Sequence, residues 1–151
     1  MSRRSLFALA LCSLAACNSE TPFEPLSELP FAYATNSCGP ADGPTIVVYL
    51  ATQSFELAQP VAPFVQVQIP TESTRLKAGD VFRIGEDFST EANAWFHGSG
   101  VETSAASDGE VGITAFTANT LSGYVDLKFA GGQKFRGSFI SAWQPRQILC
   151  G

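Results

Sequence analysis

One histidine, one methionine and nine basic residues are all that a chain of 151 residues contains. A single histidine excludes a metal site built from several imidazoles. Charged residues make up only 15% and the net charge is −5, which excludes a broad basic face for nucleic acid. No apolar run reaches the ~18 residues that a membrane-spanning helix needs. No Gly-x-Ser-x-Gly nucleophile elbow is present. With 13 Gly and 9 Pro, long helices have little room. The length allows one domain. No cofactor and no metal ion are expected.

What is present begins with an address. Arg3 and Arg4 precede a run from Leu6 to Ala16 that is apolar except for Ser13. A positive start and a short apolar run are the pattern of an export signal, predicted over 1–16. The run ends in Leu14-Ala15-Ala16-Cys17, which resembles the lipobox of bacterial lipoproteins. The resemblance implies cleavage before Cys17 and attachment of acyl chains to Cys17, hence a membrane anchor. Each buried methylene is worth ~0.8 kcal/mol, so two or more chains hold where one is marginal. An ordinary signal cut after Ala16 would instead leave Cys17 a free thiol. Ser2-Arg3-Arg4-Ser5-Leu6-Phe7 also resembles a twin-arginine signal, so both export routes stay open. Asn18, not aspartate, follows Cys17, and this points to the outer membrane. Without Arg3 and Arg4 the net charge moves from −5 to −7. Attachment to a membrane must then come from lipid, not from the protein's overall charge.

Residues 17–30 hold three Pro, three Glu and no basic residue, a composition expected of a solvated tether. Phe23, Leu26 and Leu29 offer an alternative, because their spacing suits one helical turn docked on the domain. Of the four cysteines, Cys12 leaves with the signal and Cys17 takes lipid. Cys38 and Cys150 remain, and in an exported chain they imply one disulfide. It marks a domain over 31–151.

Within the domain the apolar pattern has period two. Strands are expected over Thr45–Leu50, Pro63–Ile69, Asp80–Ile84 and Ala92–His97. Further strands at 110–117, 121–129 and 133–143 form an antiparallel meander. A three-residue loop, Ala130-Gly131-Gly132, pairs Leu127 with Phe135 and Val125 with Gly137, so that the apolar faces coincide. A slip of one residue would flip every side chain. One Gly of that loop takes a left-handed conformation. Upstream, the loop Ala118-Asn119-Thr120 pairs Ala115 with Gly123 and Ile113 with Val125. The expected fold is all-β: a single antiparallel sandwich or barrel with a C-terminal three-strand meander. Gly109-Glu110-Val111, Ser122-Gly123-Tyr124-Val125, Gly137-Ser138-Phe139 and Cys150 resemble exported bacterial lipoproteins that carry a small β domain. That resemblance implies a periplasmic or surface β domain and brings no activity with it.

Candidate chemistry is sparse. His97 would be the base of any hydrolase triad, but Gly98-Ser99-Gly100 beside it makes it an exposed residue at a strand end. The acidic stretch Asp80, Glu86, Asp87 and Glu91 lacks the alternating spacing of a calcium loop and is expected to be a solvated loop. Trp95, Trp143, Phe96, Tyr49 and Tyr124 are candidates for an aromatic platform. Tyr124 leads them, because the register turns it away from Leu127 and Phe135. We expect a lipid-anchored cell-envelope protein that binds an envelope protein or glycan, or serves a structural role, without catalysis. The alternatives are an envelope hydrolase using acidic residues and His97, or an inhibitor of a secreted enzyme presenting residues 85–92.

Overall fold

The computed structural model describes residues 23–39, 42–57, 59–71, 76–87, 89–100 and 102–150. The expected signal over 1–16, Cys17 and residues 17–22 of the expected tether lie outside them. The strands are β1 (Phe31–Cys38), β2 (Pro44–Ala51), β3 (Phe64–Pro70), β4 (Val81–Arg83), β5 (Asn93–His97), β6 (Thr103–Phe116), β7 (Thr120–Phe129) and β8 (Lys134–Trp143). They form one sheet in the order β4-β6-β5-β3-β2-β1-β8-β7, and β7 also pairs with β6. That last pairing closes seven strands into a barrel. β4 lies outside the ring and pairs with the second half of β6.

The barrel interior is a packed core. Ala34, Val48, Val67 and Ala94 stand opposite one another across β1, β2, β3 and β5, and all four are buried. Val111, Val125 and Leu127 fill the other side with no solvent contact. A barrel this small is filled by its own side chains. Any ligand of appreciable size therefore has to bind outside the wall.

The meander follows the expected register at its second turn. Leu127 faces Phe135, Val125 faces Gly137 and Asp126 faces Arg136. Gly132 has the left-handed φ of 86° that closes the three-residue loop. The first turn differs. Val111, not Ile113, faces Val125, and Ile113 faces Gly123. Thr117 N–H donates to the Thr120 carbonyl, so the loop is the two residues Ala118 and Asn119. The register then shifts between Ile113 and Ala115, which leaves Thr114 as a bulge. The shorter loop and the bulge each move the pairing by one residue. Before the bulge their effects add to a shift of two, so Val111 and Ile113 keep their expected faces. After it only the shorter loop acts, so Ala115 and Phe116 swap faces and Phe116 packs against the core.

The N-terminal stretch corrects the expected boundary. Residues 17–30 were expected to be a tether and the domain to start at 31. Leu26 and Leu29 instead sit in the core at 5% and 3% exposure. Pro25 makes a parallel bridge to Ser138 of β8, with Ser138 N–H donating to the Glu24 carbonyl and Leu26 N–H to the Ser138 carbonyl. Glu24–Leu26 is an extended strap, not a helical turn. Composition marked this stretch as solvated, but two buried leucines decide its position. Gly137 leaves the strap its space: a Cβ there would lie 2.9 Å from the Glu24 carbonyl oxygen and from Leu26 Cα.

The chain then turns into β1, which pairs parallel with the end of β8 through Tyr33–Ala142 and Ala34–Trp143. First and last strands thus close the ring. Thr35 Oγ1 donates to the Gln144 carbonyl at 2.7 Å, and Asn36 bonds Arg146 in both directions. Cys38 and Cys150 form the expected disulfide beyond them, 5.5 Å apart at Cα.

Candidate functional site

The outside of the barrel divides into two walls. On the wall of β1, β2, β3 and β5, Tyr33, Tyr49, Gln66 and Trp95 stand in one outward row. Phe55, from the β2–β3 connection, lies over this wall within 4.9 Å of Tyr33 and 5.9 Å of Tyr49, centroid to centroid. Phe64 points outward yet is buried, and Val47, Ala51 and Leu57 are buried beside this layer. The connection therefore roofs a second small core. Burial under it pushes the Tyr49 phenol above its ordinary pKa.

His97 belongs to that covered wall. It was expected to be an exposed strand-end residue; β5 does end at it, but its side chain is half-buried, with the ring stacked on Phe64 at 4.3 Å and planes 19° apart. Thr103 Oγ1 sits 3.3 Å from its Nδ1. Nε2 is buried and has no hydrogen-bond partner among the described residues. Desolvation holds the imidazole below its ordinary pKa, which favours the neutral ring. A triad base needs a carboxylate orienter; here a hydroxyl occupies that position.

The wall of β4, β6, β7 and β8 has no such roof among the described residues. Two rows cross it. In the first, Arg83, Glu110, Asp126 and Arg136 face one another in strand order. In the second, Val81, Gly112, Tyr124 and Ser138 do the same, with Pro25 of the strap beyond. Gly112 has no side chain to hold off its neighbour, so the Tyr124 ring lies over it; a Cβ there would meet that ring at 2.1 Å.

Across the second row, and on toward Ser122 and Ile140, lies an open groove of about 740 Å³. Phe23, Tyr124, Arg136, Glu110, Thr114 and Ile140 are among its lining residues. Phe23 stacks on Tyr124 at 4.2 Å with planes 11° apart. Arg136 places its guanidinium carbon 5.1 Å from the centre of the Phe23 ring, a cation–π distance. Tyr124 Oη donates to Glu110 Oε1 at 3.1 Å. Arg136 Nε lies 3.4 Å from Asp126 Oδ2. Ile140 is 74% exposed on the groove's side and Val81 is 52% exposed on β4. Next to the groove, Lys128 Nζ donates to Asp108 Oδ2 at 2.6 Å. That contact holds the Asp108 carboxyl below its usual range and raises the Lys128 ammonium. Both groups are well exposed, so solvent screens the pair.

The expected platform aromatics separate. Trp143 packs edge-on against Phe116 at 5.1 Å, and Phe96 lies inside between Phe129 and Phe135. Tyr49 and Trp95 belong to the covered wall. Tyr124 alone among them reaches the groove. Phe23 was singled out only as part of a turn docking on the domain, and Arg136 and Ile140 were not candidates for the site. Alternation along 134–143 does turn Arg136 and Ile140 outward, but nothing local shows that Phe23 returns to meet Tyr124.

The acidic loop satisfies itself. Asp87 Oδ1 accepts from Ser89 N–H and Oγ at 3.0 and 2.6 Å, and Oδ2 accepts from Thr90 Oγ1 at 2.9 Å. These bonds hold the Asp87 carboxyl below its usual range. Glu91 Oε2 accepts from Asp87 N–H. Among the described residues no group of His, Cys, Asp or Glu side chains converges as a metal site, and no helix is long and apolar enough to cross a membrane. Comparison with protein-family models, with curated proteins and with solved structures gave no match.

Proposed function

We propose that this chain is a lipid-anchored protein of the bacterial cell envelope, held by acyl chains on Cys17, and that it acts as a non-catalytic binding module. The outer groove of β6, β7 and β8 is its binding face. One observation carries this reading: the barrel interior is filled, while the open wall holds a groove of about 740 Å³ with a stacked aromatic pair and an arginine. Grooves of this size with a few converging polar groups are the ordinary form of a binding site. The hydrolase alternative has no triad base in His97, whose ring is stacked on Phe64 of the other wall with a hydroxyl rather than a carboxylate at Nδ1. His97 faces Thr103 and Tyr124 faces Gly112, nine residues apart along β6. At ~3.3 Å per residue that is about 30 Å of strand.

The test is a photo-crosslinking amino acid at position 140, with the full-length protein expressed in its native host. The expected result is an adduct with an envelope component that weakens in Tyr124→Ala. An unmodified protein at position 140, together with turnover of a polymeric substrate by the purified chain, overturns the proposal.

A further inference from the structure

The groove also has a direction, set by where the chain leaves the barrel. Phe23 is pinned against Tyr124, and Cys17 precedes it by six positions. Six residues reach at most about 20 Å even when fully extended. A loose tether up to residue 30 would leave the barrel free to turn. The strap removes that freedom, since Glu24–Leu26 is bonded to β8 and Leu26 is buried. An anchor on Cys17 then holds the open wall close to the bilayer.

Charge points the same way. From Cys17 onward the chain carries 7 basic and 14 acidic residues, net −7. On the outer faces of β4, β6, β7 and β8 stand Arg83, Lys128, Lys134 and Arg136. Against them are Asp108, Glu110 and Asp126, with Glu24 at the edge. These side chains sum to zero, so the wall they form carries no net charge. An anionic lipid surface therefore does not repel this wall as it repels a face of net negative charge. The side chains suit an interface: half-buried Tyr124 and Phe23 are aromatic, exposed Ile140 is aliphatic and exposed Arg136 offers a guanidinium of the kind that pairs with phosphate.

We infer that the β4–β6–β7–β8 wall rests on the phospholipid headgroups of the bilayer that holds the anchor, with the groove as the contact. This placement deepens the binding reading above and depends on acylation of Cys17.

The experiment uses the full chain, purified in detergent after export and reconstituted in phosphatidylethanolamine–phosphatidylglycerol vesicles. A bimane label is placed by Ile140→Cys on the open wall or by Ser54→Cys on the covered one. A nitroxide on the lipid headgroup quenches it. Both positions are at the surface, so the variants should melt with the parent. Intact mass reports the acyl chains. The expected result is several-fold stronger quenching at position 140 than at position 54, with the ratio falling toward one in Lys134→Glu/Arg136→Glu. Equal quenching on an acylated protein overturns the placement alone. A mass without acyl chains overturns the anchor and the placement together.

Discussion

The two walls of this barrel share one core and differ outside it. β2 reads Pro-Thr-Ile-Val-Val-Tyr-Leu-Ala and is buried on both sides, inward on the core and outward under Phe55. β7 reads Thr-Leu-Ser-Gly-Tyr-Val-Asp-Leu-Lys-Phe and alternates strictly between core and solvent side. Continuous apolar character marks a strand with two dry faces, and strict alternation marks one with a single dry face. The covered wall stores stability in its second layer. The open wall keeps its outward side chains available for contact.

Four substitutions test this contrast. Cys38→Ser with Cys150→Ser removes the link at the seam where the walls meet, and the loop-closure model for so long a separation gives a loss of about 4–5 kcal/mol. Chemical denaturation measures it, and a loss under about 1 kcal/mol would mean that β1 and β8 hold the seam unaided. Phe64→Ala empties the centre of the covered wall and should cost about 3–5 kcal/mol, the range for a buried aromatic. If it behaves as a surface change, the outer layer is not a second core. Phe23→Ala removes one stacking partner from the open wall and should cost only about 1 kcal/mol in the same assay. A cost equal to that of Phe64→Ala would erase the difference between the walls.

The smallest effect is a pH dependence. Burial favours neutral His97 in the folded protein, so the unfolded chain binds the proton more readily. Its contribution to stability is complete above the unfolded pKa of about 6.5 and is lost as pH falls below that value and through the lower folded pKa. The melting temperature of His97→Phe should therefore decline less between about pH 8 and pH 5 than that of the parent. Parallel curves would show that the ring titrates freely.

What was legible in the sequence follows from how each element is buried. Val65, Val67 and Ile69 alternate with Gln66 and Gln68, and β3 is where they place it. Leu127 and Phe135 fix the last hairpin because only one loop length brings their faces together. β1 carries no such signal: its inward residues Ala32 and Ala34 are small, and Thr35, Asn36 and Ser37 read as loop. The first half of β6 is hidden likewise by Ser104, Ser107 and Asp108. The bulge at Thr114 breaks the alternation, bringing Ile113 and Phe116 to one side, but it is masked because Ala115 between them is small and apolar and reads as an inward residue. Half of the groove was accessible in this way, through Tyr124. The other half depends on Phe23, whose position is set by a tertiary bridge at Pro25.

The parallel closure of β1 on β8 has a consequence for the order of events in synthesis. β1 can pair with β2 as soon as residue 51 has emerged, since that contact is local. Its other edge, and the seats of Leu26 and Leu29, are completed only by β8, more than a hundred residues later. Pairings at such separation form slowly, because the loop must close before any contact rewards it. A nascent chain thus carries an unpaired strand edge and two homeless leucines until it is nearly finished. The barrel shuts from its last strand, and a chain truncated before Lys134 has a beginning with nothing to close against.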